Sequence, residues 1–305
     1  MTILARMRSF RTPAHGQRRS AFSPRLLLAA VVALAGVCTY FGTRSDNPVT
    51  GETQHVQLSK EQEVALGLEA APQMAAQHGG EIRDPELERY VEQVGQRVVK
   101  RSAAEKSGYE FDFHVLADPQ TVNAFALPGG QVFITLGLLR RLGSEAELAG
   151  VLGHEVGHVV GRHGAEHLAK AGLTQSLVGA VAIGSYDPDN PNRSAQTAAL
   201  AQAVGQLVNM RFGREDELES DALGVQFMAK AGYDPRGMVH LMQVLAEAGG
   251  KNRPPEFFST HPNPENRIER LRKLAWDTSD GGETGEERFA QKVLSRLPAV
   301  GGSGR

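Results

Sequence analysis

A single cysteine, Cys38, stands in the 305-residue chain, so no disulfide can close within one molecule. It lies inside the one strongly apolar segment, away from water and from any base, which excludes a cysteine nucleophile. An excess of one charge is also missing: 33 Lys and Arg stand against 35 Asp and Glu, a formal net charge of −2. Without a basic face the chain has no general hold on nucleic acid. Sequence repeats of the kind that stack into solenoids are absent. Acids are lacking altogether before Asp46, whereas Arg6, Arg8, Arg11, Arg18, Arg19, Arg25 and Arg44 all precede it.

Those arginines flank Leu26 to Gly42, seventeen residues without a charge. That length is at the short end of a membrane-spanning helix and beyond most signal-peptide cores. The basic side stays in the cytoplasm under the positive-inside rule, which sends the remainder across the membrane. The expectation is a bacterial-type inner-membrane anchor with the rest of the chain in the periplasm. A lipoprotein or exported form is the alternative, although Val37 occupies the position before Cys38 where a lipoprotein cleavage site needs a small residue.

Apolar residues make up 41 % of the chain, enough for a sizeable core. Ser59 with Gln62 has the spacing of a capping box and opens a helix toward His78. Asp84-Pro85 opens a second, whose Leu87, Tyr90, Val91, Val94 and Val98 recur at three and four. Strands are predicted at FDFHVLAD from Phe111 and QVFITLG from Gln131, with Pro128-Gly129-Gly130 as the turn that joins them. The apolar run Leu173–Ile183 is too short to span a bilayer. Residues 172–213 therefore read either as a flap over a cleft or against the membrane, or as a helical hairpin on the core.

Ser144 and Glu147 cap one long predicted helix through SEAELAGVLGHEVGHVVGRHGAEHLAKAG. Within it His154 and His158 are about 40° apart in azimuth and one turn apart in height, so both imidazoles reach one tetrahedral ion. Glu155 projects beside them, placed to take a proton from a water activated by such an ion. The helix is apolar, and burying two histidines and a glutamate in it is costly unless a metal or hydrogen bonds satisfy them. A third ligand is required. Gly164 stands where a metzincin would have its third histidine, and His163 is one position early. Glu217 and Asp221, at i and i+4 in ELESD, fit better: the glutamate on the metal and the aspartate holding a ligand histidine in one tautomer.

These residues, with the blocks EQEVALGLEAAPQM, NAFALPGGQVFITLGLL, AGVLGHEVGHVVGRH, ELESDALGVQF and STHPNPENRI, resemble the membrane-associated zinc metalloendopeptidases that include HtpX, the CAAX prenyl protease and the periplasmic and mitochondrial quality-control proteases. The resemblance spans roughly Leu58 to Leu274. It implies a mostly helical α+β glutamate-type zincin domain with a small antiparallel sheet beside the active-site helix. It implies one Zn2+ per chain on His154, His158 and Glu217, with Glu155 as base. Asp221 matches an acid described in the family as a proton donor, and Asn123, Ala124 and Phe125 match an edge strand that binds extended polypeptide. His261 and Arg267 match a pair near the active site, His261 steadying the oxyanion or occupying the open metal position. The single-anchor branch is implied, with misfolded or misassembled envelope proteins as substrates; a zinc-stabilised chaperone or assembly factor is the rival reading. The domain expectation is a basic N-terminus (1–25), an anchor (26–42), a linker (43–55), the metallopeptidase domain (56–276) and a tail (277–305).

Overall fold

Pro24, in the first turn, starts helix α1 (Pro24–Gly42). The helix is long and apolar enough to cross a membrane, and none of its residues is buried. The computed structural model describes residues 23–185, 213–248, 255–261, 266–279 and 281–297. Arginines 6, 8, 11, 18 and 19, the polar loop after Ser185 and the last residues of the tail lie outside them.

Residues 43–55, expected as a linker, form a hairpin of β1 (Arg44–Asp46) and β2 (Thr53–His55). Asn47 makes the turn by accepting the backbone N–H groups of Val49 and Thr50 on its side-chain oxygen. Its amide then donates to the Val160 carbonyl at 2.7 Å, so the hairpin caps the C-terminus of the helix that carries His154 and His158. Helices α2 (Lys60–Gln77) and α3 (Pro85–Lys100) start where the sequence places them. Ser59 and Gln62 complete a reciprocal capping box, and Asp84 accepts from Glu86 and Leu87. Leu87, Val91 and Val98 of α3 are fully buried, each worth about 1.5–3 kcal/mol of burial.

The sheet contains β3 (Asp112–Leu116), β4 (Ala124–Ala126) and β5 (Gln131–Thr135) in the order β3-β5-β4. The α+β architecture is as expected, but the sheet is mixed: β4 and β5 are antiparallel, whereas β3 and β5 run parallel. The Pro128-Gly129-Gly130 turn joins β4, not β3, to β5. The sequence pattern pointed to β3 because β4 has only three residues, too few for a visible alternation. Gly129 has φ 89°, and a side chain there would strike the Val64 backbone.

After the short α4 (Leu136–Leu139), α5 (Glu145–Val160) is buried along almost its whole length. The single helix expected over residues 144–172 is broken. Arg162 sits in the left-handed region at φ 57°, a conformation that costs a non-glycine residue about 1–3 kcal/mol. Buried Glu63 holds it there, accepting from Arg162 Nε at 2.9 Å, while Arg162 Nη2 donates to the Leu58 carbonyl. The chain then turns into α6 (His163–Ser185). Leu173–Ile183 therefore belongs to a helix, and it lies along α1; the rest of the expected flap falls outside the described residues.

Helix α7 (Gly213–Lys230) crosses α5, and α8 (Arg236–Ala248), α9 (Phe257–Thr260) and α10 (Arg267–Thr278) close the core. The expected tail is part of the domain: α11 (Glu286–Lys292) buries Phe289, with Val293 after it, and Arg288 pairs with Glu145.

Candidate metal centre

The α5–α7 crossing explains how two distant sequence segments meet. A side-chain carbon on Gly157 would lie 3.1 Å from Ser220 Cα, and one on Gly224 only 2.9 Å from the His154 backbone nitrogen. Glycine at both positions lets the two backbones approach closely. On α7, Glu217, Ser220 or Asp221, and Gly224 form one stripe at helical spacing. The carboxylates are thereby delivered beside His154 and His158.

His154 Nε2 and His158 Nε2 are 3.1 Å apart. Glu217 lies 3.4 Å from the first through Oε2 and 3.3 Å from the second through Oε1. Ligands about 2.0–2.1 Å from a tetrahedral centre are spaced by about 3.3 Å, so the two imidazole nitrogens and the two oxygens of the Glu217 carboxylate stand at separations that suit zinc. His261 joins them: His154, His158, Glu217 and His261 each offer an atom within 4.8 Å of the others. His261 Nδ1 stands 2.9 Å from Glu217 Oε1, and its ring stacks on Phe257. Its Nε2 is 3.6 Å from Glu155.

The electrostatics favour a cation. Glu155 is completely buried, and neither carboxylate oxygen has a hydrogen-bond partner. Burial pushes its carboxyl up from the usual range. Glu217 and Asp221 are held low in spite of burial, by hydrogen bonds from His154 and from His158 or Arg267. Burial alone would lower both histidines. It does lower His158, but for His154 the hydrogen bonds to Asp221 and Glu217 outweigh it and raise the ring to about 9. A pocket that draws a proton onto one buried imidazole and leaves a buried carboxylate without a donor is suited to a divalent ion.

Each histidine is oriented from behind. His154 Nδ1 lies 3.0 Å from Asp221 Oδ1. Arg267 is buried and grips Asp221 with two nitrogens at 2.7 and 2.8 Å, while its third lies 2.9 Å from Glu217. His158 Nδ1 meets His163 Nδ1 at 2.9 Å, and His163 Nε2 meets Glu219 at 3.1 Å. With Nε2 of His158 turned to the centre, the only consistent proton order is His158 Nδ1–H donating to His163, and His163 Nε2–H donating to Glu219. His163 and Glu219 were missed because a continuous helix would rotate His163 away. The left-handed Arg162 is what returns it. His163→Ala is expected to weaken zinc affinity about 10- to 100-fold without removing a ligand, measured by competition with a chromogenic chelator.

Ala124 and Phe125 belong to β4, an edge strand of the sheet that packs on α5, and Asn123 immediately precedes it. A small cavity bounded by Ala126, Leu127, Pro128 and His158 lies between the end of the strand and one of the two histidines. Asn123 is turned inward, its carbonyl accepting from Thr135 N and its own N–H donating to Thr135 Oγ1. Leu127 N–H likewise donates to Gln131. By the two-residue alternation of a strand, the polar backbone of Ala124 and Ala126 faces outward.

A helix presenting two histidines and a glutamate, a carboxylate from a second helix and an adjoining edge strand define a zincin-type metallopeptidase. Residues 85–275 match the model of peptidase family M48, and the chain belongs to that family. It is 31 % identical over 255 residues to the beta-barrel assembly-enhancing protease of Escherichia coli, covering 81 % of this chain and 51 % of that protein. It is 30 % identical over 248 residues to a mitochondrial metalloendopeptidase of Schizosaccharomyces pombe, covering 80 % of this chain and 70 % of that protein. The chain thus spans about half the length of the bacterial relative.

Proposed function

We propose that the chain is a zinc-dependent endopeptidase of the bacterial envelope, anchored by α1, that cleaves misfolded or misassembled envelope polypeptides. The observation that carries this is the convergence of His154, His158 and Glu217 around one point, with the undonated carboxylate of Glu155 at its side. When bound, one Zn2+ on these three residues would polarise the scissile carbonyl and acidify the attacking water. Glu155 takes the water's proton as its oxygen adds to the carbonyl carbon, then gives it to the departing amine nitrogen as the C–N bond breaks. Asp221 holds His154, His163 holds His158, and Arg267 balances the charge of Asp221 and Glu217. Substrate extends along Ala124 to Ala126 as an added strand, which favours chains that are locally unfolded.

His261 crowds the site in this arrangement: it is buried, with Nδ1 2.9 Å from Glu217 Oε1. We assign it to a resting state from which it withdraws when substrate enters. The test is hydrolysis of an unfolded outer-membrane protein by the full chain. Internal cleavage stops with a chelator and returns with zinc, and His261→Ala cleaves faster than wild type. Chelator-insensitive cleavage would refute the metal mechanism, and a slower His261→Ala enzyme would make His261 an oxyanion donor instead.

A further inference from the structure

We infer that the second half of α6 lies in the lipid bilayer beside α1, so that the helix leading out of the metal centre is itself a membrane contact. The inference rests on reading α1 as a membrane anchor, and its observation is independent of the metal. The two helices pack antiparallel. A side-chain carbon on Gly36 of α1 would stand 2.6 Å from Ser176 Cβ, with Leu173 beside it. One on Gly184, near the end of α6, would touch Ala29 and Leu26 near the start of α1. Ser176, Ala180 and Gly184 recur every fourth residue on α6, and Ala180 between the two contacts is buried. Small residues at this spacing let helices meet where no water drives their association.

Whatever medium surrounds α1 must therefore surround α6 from about Leu173 onward. The sequence of α6 suits lipid. No charged residue occurs between Lys170 and Ser185. The hydroxyls of Thr174 and Ser176 are satisfied within the helix, Thr174 donating to the Lys170 carbonyl and Ser176 to that of Gly172, as a medium without hydrogen-bonding partners demands. Leu177 and Val181, one turn apart, remain exposed, as do Leu27, Leu28, Val31 and Leu34 of α1. The water boundary falls at one level on both helices. Tyr40 near the end of α1 and the Glu166–Lys170 ion pair of α6 line the same cavity, as interfacial aromatics and charges do.

Leu173 to Ser185 extends about 18 Å at 1.5 Å per residue, over half the ~30 Å hydrocarbon layer. By the same rise His163, which holds His158, lies about 10 Å above Lys170. The partner is thus a lipid bilayer, and the consequence is a site held just above its surface, within reach of polypeptide emerging there.

The test uses the full chain in vesicles of phosphatidylethanolamine and phosphatidylglycerol with brominated acyl chains. A bimane fluorophore is placed on native Cys38, and, in Cys38→Ser background, on Val181→Cys, Leu177→Cys or the exposed control Glu247→Cys. The bimanes at positions 181 and 177 should lose fluorescence, as that on Cys38 does, and that at position 247 should lose none. Quenching at Cys38 with none at 181 and 177 overturns the inference while leaving the anchor intact. No quenching at any position overturns the anchor reading itself. If positions 181 and 177 are unquenched and also closed to a water-soluble maleimide, another copy of the chain covers this face, which likewise overturns the inference.

Discussion

Glu155→Gln will reduce peptide-bond hydrolysis by about 10^2- to 10^4-fold, the contribution of a positioned acid–base group, and will leave zinc content at the wild-type level. The side chain is fully buried and its two oxygens have no donors, so the amide replaces it without losing a hydrogen bond. Removing a buried carboxylate that lacks a partner should also leave thermal stability unchanged or raised. Loss of turnover with retained metal and retained fold isolates the proton transfer as the cause. The measurement is cleavage of a fluorogenic unfolded substrate beside metal analysis and calorimetry. If the variant still performs every envelope function of the wild type, the chain acts as a zinc-stabilised assembly factor and not as a peptidase.

Arg267→Ala will lower stability by about 3–5 kcal/mol, because it removes the buried cation that is paired with Asp221 and Glu217. Calorimetry on the zinc-loaded protein should show this as a fall in Tm of roughly 10 °C. Arg267 is among the largest completely buried side chains of the described residues, and its guanidinium reaches both Asp221 and Glu217. Lysine at this position keeps the charge but cannot bridge two carboxylates with a planar fork, so Arg267→Lys recovers only part of the loss. A Tm within a degree of wild type for Arg267→Ala would show that the carboxylates are not balanced by this residue.

The residues at the heart of the site were legible because they obey helix geometry. His154 and His158 at i, i+4 and Glu217 and Asp221 at i, i+4 each fix a shared direction from local spacing alone, and the structure brings both pairs together. What linked them was not legible. The close α5–α7 approach depends on Gly153 and Gly157 meeting Gly224 and Ser220, a long-range fit with no periodic signature. His163 was misread because its position depends on one left-handed residue, Arg162, held by Glu63 ninety-nine positions earlier. The β4 strand was hidden by its shortness, and residues 43–55 and 281–297 by compositions that resemble linker and tail although Asn47, Gln54 and Phe289 are buried. Composition reports solvent preference averaged over a segment, whereas these segments are fixed by a few single contacts.

The central claim is that two turns of α5 and one carboxylate of α7 share an ion. The direct measurement is zinc content of the purified full chain and of Glu217→Ala after dialysis against a weak chelator. One tightly held zinc per wild-type chain, lost in the variant, is the predicted result. Equal zinc in both proteins, or none in the wild type, would contradict it.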